Sequence, residues 1–176
     1  MSTELLASTV LLIGLLGVAV VSDLLRHRIP NMLVLLGLAL GLVGQFYSGG
    51  MSGLGNGLLS VLVCFALFIP MYAVGGMAAG DVKLMAMVGS FLPLHYAMWA
   101  ALFSLMAGGI CGFLIVLFRG QLLKTLGRYW LIMRAQAYLA PTSDEVAGKP
   151  FPYSIAILFG TLNTLSWQLF SNGLGG

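Results

Sequence analysis

Charge is what this sequence has least of. Of its 176 residues, 8 are Lys or Arg and 5 are Asp or Glu, so 7% are charged while 60% are hydrophobic. With a mean hydropathy of +1.03, an ordinary soluble domain is excluded, since such a domain keeps about a quarter of its residues charged. The chain reads as an integral membrane protein. Cysteine is almost missing too: Cys64 and Cys111 each lie in an apolar run with no second Cys or His at ligand spacing. That excludes a disulfide framework and a metal site, and both are expected to be buried structural thiols. The leading segment "MSTE" has no basic residue and carries Glu4, the reverse of a secretory leader, so the first apolar run is expected to be a retained helix. A net charge of +3 would direct a soluble protein toward nucleic acid; here its placement indicates membrane orientation, and no nucleic-acid partner is expected.

What is present is apolar sequence in long unalternating runs. The hydrocarbon core admits only helices or closed barrels, and these runs lack the period-two pattern of strands. A helical span needs about 20 apolar residues. Charges and turn residues divide the chain into six predicted transmembrane helices, near 5–22, 32–47, 57–74, 82–92, 95–118 and 153–170. The expectation is one polytopic all-α membrane domain over residues 1–176, with membrane lipid around it and no separate soluble domain. With six alternating spans, Arg26, Arg28, Lys83, Arg119, Lys124, Arg128, Arg134 and Lys149 all fall on one side. Lys and Arg are retained in the cytoplasm, so both termini are expected outside it.

The one sizeable loop, about 119–151, begins with Leu122, Leu123, Leu126, Tyr129, Trp130 and Met133 at helical spacing. Lys124 and Arg128 point the other way, the pattern of a basic amphipathic helix on the inner leaflet. It reads equally as a solvated connector or as a substrate-binding element. Span four is the odd one, because some 11 residues of helix reach only about 16 Å against roughly 30 Å of hydrocarbon. Its start is expected below the membrane surface, with "GGMAAG" lining a cavity open to the cytoplasm and Pro70 bending span three toward it. The GxxxG pairs Gly37/Gly41 and Gly108/Gly112 are expected to serve internal helix packing.

With 5 carboxylates in the chain, each can be weighed in turn. Glu4 falls on the outer side, and Asp144 and Glu145 sit in a polar loop as solvated charges. Asp23 closes span one and Asp81 opens span four, so topology brings both to the cytoplasmic level. Either one alone has a plain structural reading: Asp81 suits a helix N-terminus, and Asp23 can pair with Arg26 or Arg28. An ionisable group in a span is otherwise a functional-site hypothesis, and for the pair that reading wins. Two facing carboxylates share one proton. One then serves as base toward water and the other as acid toward a peptide carbonyl, chemistry that needs no cofactor. Helix dipoles favour Asp81 as base and Asp23 as proton donor.

Three stretches now acquire a common meaning: "SDLLRHRIPN" (22–31), "AAGDVKLMAMVG" (78–89) and "PFPYSIAILFG" (150–160). In this order and spacing they resemble the type IV prepilin peptidases, which stand with presenilin and the archaeal preflagellin peptidases among the GxGD aspartyl proteases. The resemblance implies a GxGD aspartyl protease-like fold with Asp23 and Asp81 as the catalytic pair. Motif support would come from Gly80, Lys83, Arg26, Arg28, Pro30 and Asn31. It implies cleavage at the cytoplasmic side of the inner membrane. The implied partners are prepilins with a short basic leader cut next to a glycine, just before the hydrophobic N-terminal helix. Ala78 stands where the family has its first Gly, which brings the local backbone into question. Larger members add a cytoplasmic segment with paired cysteines and methylate the new N-terminus; lacking that segment, this chain is expected to have no N-methyltransferase activity. Its compact size looks most like the peptidases of Flp, or tight-adherence, pili. The competing readings are an archaeal-type preflagellin peptidase, a proton-coupled transporter using Asp23 and Asp81, and a noncatalytic assembly scaffold.

Overall fold

The structure, a computed structural model, describes residues 3–118 and 153–174. The amphipathic segment expected at 119–151, with its basic residues and Asp144 and Glu145, lies outside the described residues. Among the described residues there are five helices: α1 (Thr3–Arg26), α2 (Asn31–Ala73), α3 (Ala79–Phe91), α4 (Leu94–Phe118) and α5 (Tyr153–Leu174). Segments Leu5–Arg26, Asn31–Ala73 and Leu94–Leu114 are each long and apolar enough to cross a membrane. Large apolar side chains such as Val18, Leu62, Phe113 and Phe159 face outward, as suits a protein whose solvent is hydrocarbon.

The 43 residues of α2 would extend about 65 Å if straight. They are not straight. Gly50 has φ 59 and ψ −143, a backbone region essentially confined to glycine. A Cβ added at Gly53 would collide with the Gln45 carbonyl, and one at Gly57 would press on Gln45 and Leu42. Residues eight apart along one helix are separated by about 12 Å, so the chain doubles back at Gly50. The stretch "SGGMSGLGN", expected as a loop between spans two and three, is instead helical on both sides of this one glycine. Its small residues let the two arms of α2 approach closely enough to need no longer connection.

The centre of the fold is α3. From Asp81 to Leu92 every residue except Lys83 is buried, as expected of a helix that is apolar all round. It packs against all four other helices. On the first arm of α2, Gly37 and Gly41 leave room for Met87, Ser90 and Phe91; on the second arm, Ser60 and Cys64 close on Gly89. At 13 residues, or about 20 Å, α3 is short, as the sequence indicated.

Small residues also join α4 to α5. The Tyr153 ring occupies the space a side chain on Gly108 would need, and Gly160 lies against Ser104. Both GxxxG pairs thus contribute to internal packing through Gly37, Gly41 and Gly108, while Gly112 has open space around it. The expectation for the cysteines holds for Cys64, which is buried, and fails for Cys111, which is exposed. Position 111 lies on the outward face of α4, where an apolar run faces lipid rather than the core.

Candidate active site

Helical periodicity places Asp23. On α1 the buried residues are Thr9, Leu12, Leu16, Ala19, Val20 and Asp23, the 3.6-residue stripe that faces the bundle. The helix was expected to end at 22, but it continues to Arg26. It stops at His27, whose φ of 50 is left-handed, with its N–H donating to the Asp23 carbonyl at 2.7 Å. This is the αL way of closing a helix. Asp23 therefore sits one turn inside α1, turned inward at 9% exposure, rather than at the helix end. Arg26 and Arg28 are exposed, and the hydrogen-bond partner of Asp23 is Ser154 of α5, whose Oγ donates to Oδ2 at 2.6 Å.

Asp81 is placed by a helix stop followed at once by a helix start. At the end of α2, the Gly75 N–H donates to the Tyr72 carbonyl at 2.9 Å and the Gly76 N–H to the Met71 carbonyl at 2.8 Å. Gly75 has φ 75, completing a Schellman motif that requires the left-handed conformation glycine supplies. Met77 then leads to Ala78, the N-cap of α3, and the Ala78 N–H donates to Asp81 Oδ2 at 3.1 Å. This is one half of a capping box; the other half needs a side-chain oxygen at the cap, which alanine lacks. Gly76, Ala78 and Ala79 are exposed, so "GGMAAG" forms a surface turn whose work is to reverse the chain. At Ala78 itself φ is −84 and ψ 156, an extended conformation open to any L-residue. The departure from Gly-x-Gly therefore introduces no backbone strain.

The two segments meet. Asp23 and Asp81 lie within electrostatic range of each other, Asp81 being 3% exposed. Around them, a Cβ added at Gly80 would meet the Ile29 side chain at 3.5 Å, an ordinary contact distance, and Lys83 Nζ donates to Asn31 Oδ1 at 3.2 Å. Pro30, with φ −63, is the N-cap of α2, and its carbonyl accepts from Leu33 and Val34. Ser22 Oγ closes the intervening turn on the Arg28 carbonyl at 3.0 Å. Thus "SDLLRHRIPN" and "AAGDVKL" lie side by side, joined directly by the Lys83–Asn31 bond, and the predicted residues gather at one end of the bundle. Arg26 and Arg28 share that end without joining the buried pair.

Sequence reasoning missed two residues of α5. Ser154 binds Asp23 directly, and Tyr153 lies within electrostatic range of Asp81. Their signal was present in "PFPYSIAILFG", where Tyr and Ser open an otherwise apolar helix.

A helical membrane protein with two buried aspartates drawn together at one end of a central short helix is the class that fold and site define. The type IV leader peptidase family matches residues 10–113, more than half of the chain, and the chain belongs to that family. The match contains both aspartates and ends before α5. Membership makes the protein a peptidase and implies prepilins as its substrates. No match was found among curated proteins or among solved structures.

Proposed function

We propose that the protein is a membrane-embedded aspartyl endopeptidase, with Asp23 and Asp81 as its catalytic pair, that removes the short leader of Flp-type prepilins at the cytoplasmic face of the inner membrane. The observation that carries this reading is the convergence of two buried carboxylates, 58 residues apart in sequence, within electrostatic range of each other. Like charges at such range resist double ionisation, so one carboxyl holds a proton while the other is ionised. The ionised carboxylate takes a proton from water as its oxygen attacks the scissile carbonyl carbon. The protonated partner gives its proton to the carbonyl oxygen. Collapse of the tetrahedral intermediate breaks the C–N bond, and a proton passes to the departing amine. The Ala78 N–H and the N-terminus of α3 favour charge on Asp81, while its burial disfavours it, so the roles of base and acid belong to the pair together.

The topology proposed is six crossings, counting the two arms of α2 separately. Arg26, Arg28 and Lys83 mark the cytoplasmic end. At the opposite end, His95, Tyr96, Trp99 and Trp167 form a ring cluster with centroids 5.4–6.4 Å apart, which suits the aromatic belt of the outer interface. Without the cysteine-bearing segment of the larger peptidases, no N-methyltransferase activity is proposed.

One observation favours the transporter reading. Ser154, Thr161, Thr164 and Gln168 make a buried polar stripe along α5, and Gln168 lines a cavity of about 10 Å³ with Ser8 and Thr9 at the end away from the aspartates. The stripe is interrupted by buried Ala156 and Ile157, and Thr164 turns its hydroxyl to the Gly160 carbonyl of its own helix. The peptidase reading is stronger.

The test is reconstitution of the full chain with a prepilin in liposomes, comparing wild type with Asp23→Asn and Asp81→Asn. Both variants are expected to lose leader cleavage while remaining folded. Cleavage surviving in either one refutes the pair, and proton flux without cleavage in the wild type replaces the peptidase with the transporter.

A further inference from the structure

We propose that Ser154 is a positioning residue for the reaction: its hydroxyl holds Oδ2 of Asp23 and thereby fixes the plane of that carboxyl relative to Asp81. This rests on the reading of Asp23 and Asp81 as the catalytic pair.

The terminal torsion of an aspartate is soft, with broad, roughly two-fold preferences, so burial alone does not orient its oxygens. Among the described residues, Ser154 is the side chain that hydrogen-bonds Asp23, across 131 positions of sequence. The 2.6 Å separation is at the short end of the O–H···O range. Ser154 is fully buried at 0% exposure, which shields this bond from the competition of bulk water.

The serine is itself held. Its neighbour Tyr153 is wedged over Gly108, donates its hydroxyl to the Ser104 carbonyl at 3.3 Å, and meets the Phe68 ring edge-on at 6.2 Å. Two and three residues beyond Ser154, Ala156 and Ile157 are buried in the same core. The start of α5 is thus braced against α4 and α2, and Ser154 carries that rigidity to the last turn of α1. Asp81 has a comparable brace in the Ala78 N–H. Each aspartate accordingly has one oxygen engaged by a fixed donor from outside its own helical turn or at its cap. A reaction that passes protons between two carboxyls and a peptide depends on such alignment, since a misplacement of about 1 Å can cost roughly 10²-fold in rate.

The experiment uses the full chain in lipid nanodiscs with a prepilin-derived peptide that carries the leader and the start of the hydrophobic helix. Ser154→Ala is expected to lower kcat by about tenfold or more with KM changed less than about twofold. Ser154→Thr keeps the hydroxyl and is expected to recover most of the lost kcat; Ser154→Gly, which adds no bulk, is expected to behave as Ser154→Ala. Infrared difference spectra of wild type against Ser154→Ala should show a shifted carboxyl stretch that vanishes when the comparison is repeated in the Asp23→Asn background. A Ser154→Ala enzyme with wild-type kcat overturns the proposal, as does an infrared shift that persists without Asp23. If the wild type itself does not cleave, the peptidase reading fails, and the infrared comparison still decides whether Ser154 orients Asp23.

Discussion

Gly89→Ala tests whether the seat of α3 governs the site. A Cβ at position 89 would lie 2.8 Å from the Ser60 carbonyl oxygen and 3.1 Å from Cys64 Sγ. Ordinary contact begins near 3.4 Å, so α3 and the second arm of α2 must separate by about 0.6 Å, the difference between 3.4 and 2.8, at a cost of about 1–3 kcal/mol for overpacking. The nearest obstacle is backbone, which has no rotamer to escape into. Asp81 lies on the same helix two turns away, and a rigid 13-residue helix transmits the shift to it. Leader cleavage is therefore expected to fall by roughly tenfold, part of the 10²-fold penalty that a full 1 Å displacement brings. Thermal unfolding in detergent should move down in parallel. Gly44→Ala and Gly55→Ala are the controls, since a Cβ at either position meets nothing within 4 Å; they should be neutral or slightly stabilising, glycine being the poorer helix former. If Gly89→Ala cleaves and melts like the wild type, α3 is not seated as described and its proposed control of Asp81 is wrong.

The turn before Asp81 gives two opposed expectations. Gly75→Ala places an L-residue at φ 75 and should destabilise by about 1–2 kcal/mol, read as a lower melting temperature. Ala78→Ser supplies the oxygen missing from the capping box and should stabilise by about 1 kcal/mol, with cleavage retained. Thr161→Val removes a buried hydroxyl oxygen that has no hydrogen-bond partner among the described residues; relief of an unmet polar group is worth about 1–3 kcal/mol, so chemical denaturation should show an unchanged or higher midpoint, and a clear loss would mean that the hydroxyl is in fact satisfied.

About half of the site is legible in the residues alone. Asp23 stands out because five carboxylates in 176 residues leave few candidates, and because it closes an apolar span at the same membrane level as Asp81. Asp81 stands out as an acid at a helix start after small residues. Ser154 is marked as a polar residue opening an apolar helix, but its partner is not legible, because nothing local points to a residue 131 positions away. Ala78 departs from the family's letter pattern, yet its extended backbone makes alanine as acceptable there as glycine.

Hydropathy and the scarcity of charge by themselves determined that this is a helical membrane protein, because unpaired backbone polar groups and isolated charges are too costly in hydrocarbon. The local patterns at Asp23 and Asp81 determined which residues deserved suspicion. Tertiary structure alone decided that α2 folds back at Gly50, that α3 is buried from Leu84 to Phe91, and that the start of α5 reaches Asp23. Those outcomes depend on which small residues meet which large ones across helices, and such complementarity is a property of pairs distant in sequence.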